Sequence, residues 1–303
     1  MLSRTADHLF WMARQMERAE NLARLLDVSL AVSLLPASRG GADVSAPLVL
    51  TGTLDAYLAR HGEPDASRVL AFMSFDAGNP SSILSCIRHA RDNAHAVRGK
   101  ITAEMWMSIN ATWLEAREFA QGGAGDQAFF DWVKERSHLF RGATHGTCQR
   151  TDAFSFIRLG TFIERADNTA RLLEVKRHLL DDADAADYYA WSALLRAVGA
   201  FEAYHALYRD APSGRRVAEL LLLRPDMPRS LRACFDEIYK WLARLEGDNG
   251  RAAKRLAAEL RAAQAYTSVD EVFDAGLHDY LTRMLGDITR LGALVHEAYL
   301  EAA

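Results

Sequence analysis

The sequence predicts an all-α fold: an internally duplicated helical bundle whose two homologous halves pack pseudo-symmetrically. Three observations carry this prediction. Apolar residues recur with a period near 3.6 along most of the chain, and strand-like alternation is scarce. A twelve-residue phrase occurs twice, ERAENLARLLDV at 17–28 and ERADNTARLLEV at 164–175, with nine identities at an offset of 147. Two further matches lie at offsets of 147 and 148. Leu54-Asp55-Ala56-Tyr57 answers to Phe201-Glu202-Ala203-Tyr204. Pro80-Ser81-Ser82-Ile83 answers to Pro228-Arg229-Ser230-Leu231, with Cys86 matching Cys234 a little further on. The halves are 1–150 and 151–303, expected to form one compact unit. Their boundary falls in RGATHGTCQRTD (141–152), whose Gly and Thr content reads as a loop.

In chain order, a first helix is expected from Ser3 or Thr5 to about residue 34, stopped by Pro36. A loop over 36–47 follows. Helices are then expected at 47–60, 65–74, 80–98 and 100–120. Asn79-Pro80-Ser81-Ser82 reads as a helix start, because proline is tolerated in the first turn. Gly99 separates two of these helices or merely weakens one. After the turn-like GGAG at 122–125, a helix is expected over 126–139. In the second half, Thr151 or Asp152 caps a helix over 152–180. Further helices are expected at 184–209, 214–223, 228–246, 250–264 and 269–301, the last broken near Gly276 or Gly286.

Composition bounds the function classes. The chain has 303 residues, half of them hydrophobic and a quarter charged, with net charge −4. This is a globular composition with ample core material. It supplies no global basic field for nucleic acid or an anionic membrane, so neither is expected as a partner. Three widely spaced cysteines, Cys86, Cys148 and Cys234, form no CxxC pair and suggest reduced thiols. The N-terminal stretch carries charges through its apolar part and has no small-residue cleavage site, unlike a secretory signal. The longest nearly uncharged run, 28–35, is too short to span a bilayer. A cytoplasmic protein is expected.

The repeated phrase is where chemistry is sought. At about 100° per residue, Arg14, Glu17, Asn21 and Arg24 share one stripe of a helix, with Glu20 at its edge. Met12, Met16, Ala19, Leu22, Ala23, Leu26 and Leu30 occupy the opposite arc. In the second copy Glu164, Asn168 and Arg171 make the stripe, with Asp167 beside it. One reading is a solvated face whose charge pairs contribute about 0.2–0.5 kcal/mol each. Two features favour a buried or cleft-facing network instead. Apolar residues bound each stripe on its own face: Phe10 and Val28, then Ile157 and Val175. The same Glu, Asn and Arg also recur while neighbours changed. Such a network is costly unless its members are paired. Arg24 and Arg171 have the planar fork to hold carboxylates. The two stripes are expected to face each other about a pseudo-twofold axis, either fixing helix register or lining a pocket.

Three long segments resemble the bacterial alpha-E domain family: LSRTADHLFWMARQMERAENLARLLDV, FDAGNPSSILSCIRHARDNAHAVRGKITAEMWMSIN and LGTFIERADNTARLLEVKRH. The resemblance continues through SALLRAVGAFEAYHALYR and VAELLLLRPDMPRSLRAC and so covers essentially the whole chain. It implies an all-helical domain. It also implies the company of circularly permuted ATP-grasp ligase-like proteins and transglutaminase-like cysteine proteases, hence ATP-dependent peptide or amide-bond chemistry. The family's repeated Glu-Arg-Ala-Glu/Asp phrase maps onto Glu17-Arg18-Ala19-Glu20 and Glu164-Arg165-Ala166-Asp167. It brings no agreed catalytic residue and no cofactor.

Glu202-Ala203-Tyr204-His205 has the ExxH spacing of di-metal bundles, but the matching first-half positions, Asp55 to Leu58, lack a histidine. No metal site is expected. His138, His145 and Cys148 cluster near the inter-repeat segment without a nucleophile motif. No GxxxxGK[ST] or GxGxxG loop is present. Arg88, His89, Arg91 and Arg98 make a local basic stripe, read as a solvated face or a contact for an acidic partner. Trp106 is expected in the core, and Glu104 is placed as an extension of the polar network. The expected function is an accessory or co-catalytic partner of an ATP-grasp ligase-like enzyme. The binding residues would be Arg14, Glu17, Glu20, Asn21, Arg24, Glu104, Glu164, Asp167, Asn168 and Arg171. A transglutaminase-like protein and a peptide substrate are possible further partners. One alternative is an enzyme using Glu17 or Glu164 as acid/base, with Arg24 or Arg171 clamping a carboxylate. Another is a ferritin-like metal bundle.

Overall fold

The computed structural model describes residues 1–33, 44–123, 125–176 and 188–301, and these are helical apart from turns and short connections. They fall into two compact units, one comprising Trp11–Phe154 and the other Met1–Phe10 with Ser155–Ala303. The loop residues expected at 36–43, and the helical residues expected at 177–180 and 184–187, lie outside the described residues.

The unit Trp11–Phe154 holds most of α1 (Ser3–Ser33), then α2 (Ala46–Thr51), α3 (Leu54–His61), α4 (Ala66–Phe75), α5 (Ile83–Ala96), α6 (Ala103–Gly122) and α7 (Gln127–Thr147). The single helix expected at 47–60 is two. Gly52 takes φ 67°, a left-handed cap that ends α2. The Thr53 amide then returns to the Leu48 carbonyl at 2.9 Å. Asn79-Pro80-Ser81-Ser82 does open α5, where Ser82 Oγ accepts from the Ser85 amide at 3.2 Å and donates to the Asp76 carbonyl at 2.9 Å. Gly99 lies in the turn between α5 and α6. The apolar arc of α1 faces a core of Leu22, Leu26, Leu48, Tyr57, Phe72, Met73, Ile83, Phe129 and Phe130.

The helix expected to end near 139 instead continues to Thr147, so most of RGATHGTCQRTD is not a loop. Gly142 and Gly146 each cost a helix about 1 kcal/mol. Burial of Phe140 and Thr144 offsets this, and the Thr144 and Thr147 hydroxyls return to the carbonyls one turn back. Tertiary packing overrides propensity here.

The other unit takes α8 from Ser155 onward (the helix spans Asp152–Val175), then α9 (Tyr188–Ala197) and α10 (Phe201–Tyr208). Next come α11 (Gly214–Leu223), α12 (Leu231–Arg244), α13 (Arg251–Tyr266), α14 (Val269–Asp274) and α15 (Leu277–Val295), closed by a π-helical turn at His296–Leu300. The helix expected over 184–209 is broken at Gly199, φ 62°, with the Ala200 amide on the Leu195 carbonyl. The last expected helix breaks at Gly276, φ 87°, whereas Gly286 lies inside α15. Ser230 caps α12, accepting from the Ala233 amide at 3.0 Å and donating to the Arg224 carbonyl at 2.5 Å. Helices α12 and α13 pack together, and α13 packs on α15; Phe235, Ile238, Leu242, Leu260 and Leu281 on these helices are buried. Gly250, just before α13, lies directly under the hydroxyl end of Tyr299 in the π-helical turn, where a Cβ would overlap that ring.

Candidate functional site

Within the unit Trp11–Phe154, α1 and α7 are joined by an antiparallel ladder of polar side chains. Reading down α1, Asp27, Arg24, Glu20 and Glu17 are three or four residues apart. Reading up α7, so are Lys134, Ser137 and Arg141, with His138 next to Ser137. Such spacing puts each set on one helix face. Lys134 Nζ reaches Asp27 at 2.7 Å and also Asp131 at 2.6 Å. Burial works against the Lys134 ammonium, but the two carboxylates prevail and raise its pKa. Arg24 Nε donates to Glu20 Oε1 at 3.0 Å, and its Nη2 lies 3.3 Å from His138 Nε2. Ser137 Oγ donates to Glu20 Oε2 at 2.8 Å. Arg141 Nη1 donates to Glu17 Oε2 at 3.2 Å and bonds closely to Glu20 Oε2.

Glu20 is fully buried and Glu17 is 2% exposed. Two carboxylates out of water are tolerable because two guanidiniums and a hydroxyl face them. Glu20, set at the edge of the expected stripe, is its centre. Asn21 is buried beside it. Arg14 is half-buried, with its guanidinium 5.0 Å from the centre of the Trp11 ring. Glu104 is exposed in the first turn of α6, and no contact of the α1–α7 ladder includes it. Trp106 is half-buried, flanked by Arg91 at 5.6 Å and Arg98 at 5.2 Å. Burial and the cations Arg88 and Arg18 hold His89 below the usual histidine range, with Asp92 opposing them.

The second copy of the phrase is used differently. Glu164 is 4% exposed and Arg165 is buried. Arg165 Nη1 donates to the Pro228 carbonyl at 3.3 Å, its guanidinium 5.1 Å from the Phe162 ring. Thr169 Oγ1 donates to the Arg229 carbonyl at 2.9 Å. Together they clamp the turn that Ser230 extends into the cap of α12. Asp167 accepts from Arg171 Nε at 2.7 Å, but the Arg171 side chain is 44% exposed against 18% for Arg24. Asn168 is half-buried, and Glu174 meets His278 at 2.7 Å. Arg158 and Glu237 join α8 to α12 at 3.1 Å.

A family profile, described as a predicted alpha-helical domain with a conserved ER motif, matches residues 1–300. The chain belongs to the Alpha-E family. No curated protein and no solved structure matches it. Two of this Alpha-E chain's Glu-Arg pairs, Glu17-Arg18 and Glu164-Arg165, sit in the repeated phrase, and both glutamates are buried.

Elsewhere in the Alpha-E chain, His205 is packed against the ring of Phe201 at 4.5 Å. Among the described residues no group of three or more His, Cys, Asp or Glu is arranged to hold a metal ion, and no helix is long and apolar enough to cross a membrane. Burial pushes the Cys148 thiol up, with Arg150 pulling the other way, which is the reverse of an activated nucleophile. The ladder residues that sequence reasoning missed are Asp27, Lys134, Ser137 and Arg141. The signal was there: a Lys134, Ser137, Arg141 face matched in reverse to Asp27, Glu20 and Glu17.

Proposed function

We propose that this Alpha-E chain is an accessory or co-catalytic partner of an ATP-grasp ligase-like enzyme in peptide or amide-bond formation or modification. The observation that carries this reading is the burial of the phrase's carboxylates. Glu17, Glu20 and Glu164 are at most 4% exposed, and Glu17 and Glu20 are held by cationic donors. Carboxylates used this way fix one helix against another. A general acid or base needs a path to substrate and a proton to exchange. The identity of the partner follows from the company that alpha-E proteins keep, and three reduced cysteines suit a cytoplasmic setting.

We further propose that the chain arose by tandem duplication. Helices α3 and α10 both span eight residues, and α5 and α12 both span fourteen. Gly52 and Gly199 share a left-handed φ, Ser82 and Ser230 make the same pair of cap bonds, and Cys86 and Cys234 are both fully buried. These likenesses support common descent of the two units.

The test is association of the full chain with a neighbouring ATP-grasp-like protein, measured by calorimetry and co-elution with and without Mg-ATP and a peptide acceptor. A complex, or a rise in the partner's turnover, is expected. Absence of both under every condition removes the proposal.

A further inference from the structure

We propose that the cleft between α6 and α7, at the C-terminal end of α6, binds an organic cation: an alkylammonium or a guanidinium. The inference rests on these two helices alone and is independent of the partnership proposed above. The cleft has a volume of about 590 Å³ and is lined by Glu115, Glu118, Phe119, Gly122, Asp126 and Trp132. That is within the usual size of a small-molecule site.

Its wall is aromatic and fixed. The Phe119 and Trp132 rings lie 5.0 Å apart at 43°, and Trp132 is stacked on the buried Phe129 at 5.9 Å and 19°. The Trp132 indole N–H donates to Glu115 Oε2 at 2.9 Å, which anchors the ring edge. Trp132 is half-buried and lines the cleft, and an indole is the aromatic side chain that attracts a cation best.

The field in the cleft has one sign. Three of the six lining residues are carboxylates and none is basic. Glu118 is exposed. Asp126 caps α7 through the Phe129 amide at 2.9 Å, which leaves its carboxylate charge in place. The last turn of α6 carries no basic residue to offset its terminal carbonyls, so the negative end of a twenty-residue helix adds to the same potential. Arg136 lies 3.7 Å from Glu115 Oε1. Its Nε bonds Thr112 at 3.0 Å and its Nη2 bonds the Ser108 carbonyl at 3.3 Å, which turns it toward α6. A strongly hydrated inorganic cation would gain little from the aromatic wall, and an anion would be repelled. A cation on an apolar stem matches both features, whether a free amine or a lysine or arginine side chain of a peptide.

The experiment is an NMR titration following the Trp132 indole N–H, assigned by Trp132→Phe. The probes are n-butylammonium and ethylguanidinium chloride, with n-butanol and ethylurea as neutral counterparts and sodium chloride as the ionic control. Gly-Lys-Gly against Gly-norleucine-Gly distinguishes a peptide side chain from a free amine. Saturable shifts with the cations are expected in the millimolar range. They should weaken about 3–10-fold in Glu118→Gln, a substitution at an exposed position that leaves the core intact. Equal shifts with the neutral counterparts or with sodium chloride, or unchanged binding by Glu118→Gln, would overturn the assignment. So would no shift at all.

Discussion

Arg141 donates from Nη1 to Glu17 Oε2 at 3.2 Å, across 124 positions of sequence, and the same nitrogen also serves Glu20. One guanidinium on α7 thus holds both glutamates of the repeated phrase on α1. Removing one partner of a buried ion pair costs more than the pair itself contributes, because the other charge is stranded. Arg141→Met should therefore destabilise the protein by about 3 kcal/mol, the low end of such losses because Arg141 keeps some solvent contact. Arg141→Lys should fall between, keeping charge but losing the fork. Urea unfolding checks both. A loss below about 0.5 kcal/mol for Arg141→Met would show the ladder to be incidental.

How much of this was legible follows from the same residues. Period and repeats gave the helices, and the phrase pointed to Glu17 and Glu20 because a helix needs neither to fold. Arg141 was hidden by its neighbours. Gly142 and Gly146 made the segment read as a loop, since local propensity carries no information about the packing of Phe140 and Thr144 that keeps it helical. Gly52 and Gly199 were hidden for the opposite reason: one left-handed residue breaks a helix without disturbing the apolar period on either side. Arg165 binding the Pro228 carbonyl had no signal at all, because a backbone acceptor leaves no mark on composition.

Glu237 gives a pH signature. Burial raises its pKa, but donors from Lys240, Trp241 and Arg158 overcome this and bring it down to about 2 from 4.5. A depressed carboxylate stabilises the fold fully above its unfolded pKa and loses that contribution as pH falls through the folded value. The loss should run from about pH 4.5 to about pH 2, worth about 1–3 kcal/mol after allowance for partial exposure. Glu237→Gln should remove this stretch of the acid-unfolding curve and leave stability between pH 6 and pH 8 lowered by a similar amount, read by thermal melts across pH.

The serine caps can be compared directly. Ser82 and Ser230 are both fully buried, and each accepts from an amide while donating to a carbonyl six residues back. Ser82→Ala and Ser230→Ala should each cost about 1–2 kcal/mol. Costs that agree within about 0.5 kcal/mol would favour common descent of the two units, and a large disparity would count against it.

Thiol labelling should separate the cysteines. Cys86 and Cys234 are fully buried, whereas Cys148 is partly exposed with its thiolate disfavoured by burial. Iodoacetamide at pH 8 should modify Cys148 slowly, and the other two only under denaturing conditions. Rapid modification of Cys148 at pH 7 would contradict the raised pKa.

The contact between Tyr299 and Gly250 carries a consequence for inheritance. With the ring seated on that α-carbon, no other amino acid fits at 250 while the phenol stays where it is. The two positions are therefore coupled: a side chain at 250 requires the phenol of Tyr299 to swing aside or to give way to a smaller residue. Randomising both together should recover paired solutions, and randomising 250 alone should return glycine.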